Sequence, residues 1–351
     1  MGRFEAFSEQ HEAKRLLEAA VVEGPVHAYL LHGPAGVGKR KLARAFAREV
    51  IGTTRTTHPD IYELDALGEM IRIDAIRELR RDLHMRPFEA SRRVYLILSA
   101  NLMNEDAADA LLKDLEEPPD YATVVLVADD LGPIPETIRS RCQLVPFTRL
   151  SERAIREVVD ARVPELDEGH RIALARVAGG RLDRLERLLD PHAARRRGLL
   201  LAQARAAYRE PAFEPADAAG VLLDSARERG TEAKELEDVK VQGLELPTRE
   251  AEQRVRRAQR GAERDELLAQ LEELAAWYRD LVVVGVGAEA AATHVDMLEE
   301  LRADATRERL LGAERAAEAV RETWRRLEEF QLAPQLALEA LFVEVARELH
   351  D

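Results

Sequence analysis

Ala28-Tyr29-Leu30-Leu31-His32-Gly33-Pro34-Ala35-Gly36-Val37-Gly38-Lys39-Arg40 is the stretch whose reading decides the fold. Apolar residues lead into a glycine-rich turn, and a helical run from Lys39 to about Val50 leads out of it. In a strand, glycine turn and helix of this kind, backbone amides face a triphosphate and the lysine adds a point charge. Gly33, Gly36, Gly38 and Lys39 are therefore the candidate phosphate-binding residues. The pattern G-x-x-x-x-G-K-[ST] is complete through Lys39 and then fails, because Arg40 stands where a hydroxyl would hold magnesium. The other reading of the loop is structural: its glycines shape a strand-to-helix turn and bind nothing.

Outward from the loop, the two periodicities alternate. Ile61 to Leu64, Val94 to Leu98, Ala122 to Ala128 and Leu144 to Phe147 read as strands. Between them Ile73, Ile76, Leu79 and Leu83 recur at helical spacing, and Asn104 can cap a helix that Pro118-Pro119 ends. Strands alternating with helices predict a parallel sheet covered on both faces, with ligands beyond the carboxyl ends of the strands. After Ser151 the strand signal stops. Three short helices follow, from Ser151 to Val159, Asp167 to Val177 and Leu182 to Leu189, and read as a small lid. Beyond Pro191 the chain is helical and charged. A loop near Pro211 to Pro215 and a polar stretch from Gly230 to Thr248 interrupt it, and Leu267, Leu271, Leu274, Tyr278 and Leu281 form a buried seam on a helix from about Arg249 to Val284. Helices from Thr306 to Phe330 and from Pro334 to Leu349 complete the chain. The fold class is thus α/β over residues 1–150, a helical lid over 151–192, and an all-α domain over 193–351 suited to oligomerisation.

Length supports two or three domains, each with its own core: 351 residues, 46% of them hydrophobic. No run of about 18 apolar residues suggests a membrane span, and Met1-Gly2-Arg3-Phe4-Glu5 does not begin a signal peptide, so the expected location is cytoplasmic. A single cysteine, Cys142, excludes an internal disulfide and a thiolate-cluster zinc site. The net charge of -14 argues against the whole chain gripping nucleic acid by itself. His58, in His58-Pro59-Asp60, reads as a turn residue rather than a metal ligand.

Several segments together resemble the clamp-loader branch of the AAA+ ATPases, and within it the delta-prime subunits of bacterial DNA polymerase III. They are the Ala28 to Gly33 segment with His27 before it, His58-Pro59-Asp60, the run Ala110-Leu111-Leu112-Lys113-Asp114-Leu115-Glu116-Glu117-Pro118-Pro119, and Thr137-Ile138-Arg139-Ser140-Arg141-Cys142-Gln143. A glycine loop is common to many unrelated proteins, whereas the A-L-L-K-x-L-E-E-P-P run followed by S-R-C is far more specific. The resemblance implies a P-loop AAA+ domain, a lid and a helical collar. It implies partners of gamma/tau and delta type, a sliding clamp, and primer-template DNA reached through the assembly. It also places Arg141 at the domain edge, pointing into a neighbouring subunit's ATP site as an arginine finger supplied in trans.

The departures from the family pattern define the expected role. Members that hydrolyse ATP carry an aspartate and a glutamate at the end of the strand before the A-L-L-K helix, for magnesium and for water; here those places hold Leu98 and Ser99. Asp129-Asp130 stands where a small polar residue usually reaches the γ-phosphate, and its carboxylates would repel one. The position of the lid's phosphate-sensing arginine holds Asp183, between Arg181 and Arg184. The four-cysteine zinc module of many relatives is replaced by Ile51 to Thr57, so no metal is expected. ATP binding is expected to be weak or absent, with no intrinsic hydrolysis. Cys142 is read as a packing residue, and Glu116-Glu117 either as a solvated helix end or as partners for a neighbouring subunit's cations. The rival readings are an active gamma/tau-type ATPase using a metal ligand not recognised here, and a P-loop kinase or regulator outside replication.

Overall fold

The structure, a computed structural model, describes every residue except 1, 2, 6, 8, 67–69, 243–247, 330–332 and 351. The chain divides into two compact units: Met1–Val158 with Gly180–Arg184, and Val159–Gly179 with Leu185–Asp351.

In the first unit the elements run α1 (His11–Glu23), β1 (Ala28–His32), α2 (Lys39–Ile51), β2 (Ile61–Leu64), α3 (Ile73–Leu83), β3 (Arg93–Ile97), α4 (Glu105–Glu116), β4 (Ala122–Ala128), α5 (Glu136–Arg139) and β5 (Gln143–Pro146). The strands form one sheet in the order β2-β3-β4-β1-β5, with every pairing parallel. Leu30 of β1 lies opposite Leu126 of β4 and Leu144 of β5. Parallel strands buried on both faces read as continuous apolar runs because alternate side chains enter different layers. Tyr29, Leu31, Leu96 and Val127 pack with Leu17, Leu42 and Phe46 on one side; Leu30, Tyr95, Ile97 and Leu126 pack with Ile76, Leu79 and Leu111 on the other. The Asn104 side chain accepts from the Ala107 amide at 3.1 Å and starts α4 as its position predicts.

The second unit is helical: α6 (Glu152–Arg162) leads into it, followed by α7 (Glu168–Ala178), α8 (Leu182–Leu189), α9 (Pro191–Arg209), α10 (Pro215–Gln242), α11 (Thr248–Gly285), α12 (Leu298–Asp304), α13 (Leu310–Glu329) and α14 (Pro334–His350). At 38 residues α11 is about 57 Å long. Its seam of Leu267, Leu271, Leu274, Tyr278 and Leu281 is buried with Leu338, Leu341, Phe342 and Val345 of α14.

Two readings are revised. The polar stretch from Gly230 to Thr248 does not break the helix at Gly230, because α10 continues to Gln242; the segment 243–247 lies outside the described residues, as does Phe330. A Cβ at Gly230 would lie 2.4 Å from Glu263 Cγ, so this glycine marks a close approach of α11 rather than a break. Residues 285–305, assigned no element from the sequence, contain α12 and two 3-10 turns, and the next helix starts at Leu310 rather than at Thr306.

Candidate nucleotide site and edge arginine

β1, flanked by β4 and β5, delivers the glycine loop to the carboxyl ends of the strands. A Cβ at Gly33 (φ +135°) would lie 2.2 Å from the Phe147 carbonyl oxygen, so only glycine fits that turn. Lys39 is 3% exposed and does not face outward. Its Nζ donates to the carbonyls of Gly33 at 2.6 Å and Pro34 at 2.5 Å, and meets Asp129 Oδ1 at 2.7 Å. An ammonium has three N–H donors, and all three are spent within the chain. Burial pulls the Lys39 pKa below the ordinary lysine value, with Asp129 working against the shift.

Arg40 turns toward the ends of β2 and β3. Its guanidinium meets Asp65 Oδ2 at 2.8 Å and donates to Ser99 Oγ at 2.7 Å, while Ser99 Oγ donates to Asp65 Oδ1 at 2.5 Å. Leu98 and Ser99 are buried. At the first turn of α2 there is thus a fixed cation, already paired, where a hydroxyl would have to reach magnesium. The segment Gly180–Arg184 lies over the same loop: the Leu182 amide donates to the Gly36 carbonyl at 2.7 Å. The Asp183 carboxylate rests so closely on Gly36 that a Cβ there would be 1.6 Å from Oδ1. Arg181 grips Asp183 through Nε to Oδ1 at 3.1 Å and Nη2 to Oδ2 at 2.8 Å. Burial works to raise the Asp183 pKa, but the Arg181 fork outweighs it and holds the acid below its ordinary value. Gly33, Gly36, Gly38 and Lys39 are therefore brought together as their spacing predicts, yet they do not fit magnesium-ATP: the lysine is spent, the metal-side hydroxyl is an arginine, and carboxylates attend the loop.

Arg141 occupies the turn between α5 and β5. Nη2 meets Glu116 Oε1 at 2.5 Å, and Nη1 donates to the Thr137 carbonyl at 2.8 Å and weakly to Ser140 Oγ at 3.4 Å. Its side chain keeps 34% of its exposure. The Glu116 carboxylate is thus paired within its own chain while its side chain stays 48% exposed to solvent. Cys142 packs beside the Leu111 and Ile138 cluster, and burial pushes its thiol up to about 12, which suits packing rather than nucleophilic chemistry.

His58 proves to be part of a structural knot. Its Nδ1 accepts from the Asp60 amide at 3.1 Å. The buried Asp60 carboxylate accepts from the amides of Phe88, Glu89 and Ala90 at 2.7, 2.8 and 2.8 Å. Burial alone would raise the Asp60 pKa, and these three amides lower it below the ordinary value. Among the described residues one group has the makings of a cation site, His192 with Glu228 and Glu232, whose ligand atoms lie within 4.8 Å of one another. Arg195 at 2.6 Å from Glu228 and Arg196 at 2.8 Å from Glu232 already neutralise both carboxylates.

Residues 9–151 match the family described as DNA polymerase III, delta subunit. The tau subunit of Bacillus subtilis DNA polymerase III is 32% identical over 210 residues, covering 54% of this chain and 37% of that one. The delta' subunit of Pseudomonas aeruginosa is 36% identical over 135 residues, 33% of this chain and 41% of that one. Residues 9–151 are thus similar to DNA polymerase III subunits of the delta, delta' and tau kinds. The chain spans about two fifths of the length of these curated relatives. Among solved structures, a DNA polymerase III gamma subunit-related protein of Thermotoga maritima aligns over 96% of this chain and 99% of its own, at 18% identity and a TM-score of 0.45. No described helix is long and apolar enough to cross a membrane.

Proposed function

We propose that this chain is a delta-prime-like subunit of a bacterial clamp loader, acting in the cytoplasm as a stator that does not hydrolyse ATP and gives Arg141 to the ATP site of an adjacent subunit. Its partners in this reading are gamma/tau-type and delta-type subunits, the sliding clamp, and primer-template DNA reached through the assembly. The observation that carries the reading is the closed coordination of Lys39 by Gly33, Pro34 and Asp129, beside an Arg40 already paired with Asp65. A phosphate would have to displace Asp129, and a magnesium ion would meet a guanidinium. Arg141, by contrast, stands partly exposed at the end of the S-R-C turn, held by its neighbours.

A loader reconstituted with Arg141→Ala tests the reading. Assembly should persist while ATP turnover at the adjacent site falls by about three orders of magnitude, the low end of the range of known arginine fingers. Unchanged turnover rejects the finger. The second reading, an active gamma/tau-type ATPase, draws on the longer match to the tau subunit. It requires magnesium-dependent hydrolysis by the purified chain that disappears in Lys39→Ala.

A further inference from the structure

The Glu116 to Arg141 pair joins two parts of the sequence that the proposed finger alone does not connect. Glu116 is the last residue of α4, where the helix dipole disfavours a carboxylate, and Pro119 with Pro118 prevents the helix from continuing. An acid at that site is stabilised by a nearby cation, and Arg141 supplies one at 2.5 Å. The same guanidinium is held from its other side by the Thr137 carbonyl at 2.8 Å. Two of its three nitrogens are thus fixed from two different elements, α4 and the α5 turn, while about a third of the side chain stays open.

A long arginine loses much rotamer freedom when it is aimed at one point, and anchors in its own domain remove that cost before a phosphate arrives. We propose that Glu116 is a positioning residue: it holds Arg141 in the pre-set geometry from which the guanidinium serves the neighbouring nucleotide. Glu116 touches no nucleotide itself. This inference rests on the finger reading and adds a residue to it.

The test is steady-state ATP turnover by the reconstituted loader with Glu116→Ala, Glu116→Gln and Arg141→Ala in this chain. Glu116→Ala should lower kcat roughly 10- to 100-fold, as misplacement of a catalytic group does, with KM for ATP unchanged. Glu116→Gln keeps an acceptor for the guanidinium and should stay within about 3-fold of the unaltered loader, losing only the charge assistance. Circular dichroism and a melting curve of each variant separate this loss from misfolding. If Arg141→Ala is impaired and Glu116→Ala is not, the positioning role is overturned and the finger stands. A faster Glu116→Ala loader also overturns it, since the acid would then restrain the arginine rather than present it. If Arg141→Ala turns over normally, both fall together.

Discussion

At the scale of single residues, the expectation for the glycine loop rests on what Lys39 and Arg40 hold. Removing the Asp129 carboxylate frees one ammonium donor and takes a repelling charge from the phosphate seat. Asp129→Ala should therefore bind a fluorescent ATP analogue about 10-fold more tightly than the unaltered chain, one charged hydrogen bond's worth, by anisotropy titration. Equal affinity would show that Asp129 does not guard the seat. Lys39→Met has a different readout: it leaves Asp129 and two half-buried carbonyls without their donor, and should cost about 1–3 kcal/mol in urea unfolding. Part of this was legible in the sequence. The losses at Arg40, Leu98 and Ser99 show because metal and water ligands occupy fixed places beside a motif. The answering groups, Asp65 and Asp183, were not legible as such, since which loops meet over the motif is decided by sheet order and by the path of Gly180–Arg184. The pairing of Glu116 with Arg141 was hidden for the same reason: the misplaced charge at a helix end is equally consistent with a solvated end or with pairing to a neighbouring subunit's cations.

At the scale of elements, α11 carries two faces with opposite lessons. The leucine seam follows from its spacing, and Leu274→Ala, at a position with no exposure, should cost about 2–5 kcal/mol. The second face is polar and just as deeply buried: Glu266, Gln270, Glu273 and Asp280. Charged residues in a charged helix read as solvent-facing, and only packing shows that His294 bridges Asp280 at 2.8 Å and Glu273 at 3.1 Å, with Arg197 on Glu273 at 2.5 Å. Burial disfavours the imidazolium, but the bonds to Asp280 and Glu273 prevail and raise the His294 pKa. A pKa raised on folding stabilises fully below the unfolded value of about 6.5, and the contribution fades as pH climbs through the folded value. The melting temperature should accordingly fall as pH is raised from neutrality, with a flatter slope in His294→Gln. The opposite slope would mean that the imidazole is neutral in the fold. Gly230 teaches a related point, because a glycine that reads as punctuation in one dimension is a contact point for Glu263 in three.

At the scale of the whole molecule, the two units differ in what they ask of the sequence. The parallel sheet follows almost strand for strand from its apolar runs, while the helical unit shows its long helices but not the irregular links after α11, where short 3-10 turns leave no period to read. Ligands that favour the folded state raise its melting temperature by mass action, so millimolar ATP with magnesium should leave that of this chain unmoved, within about 1 °C. A rise of several degrees would contradict the closed lysine. The knot of Arg40, Asp65 and Ser99 gives that expectation a wider meaning. On the proposed stator reading, a domain that carries its own counter-charge would not register the cell's energy status: its shape would stay constant through feast and famine, and the timing of the assembly would be set by other chains.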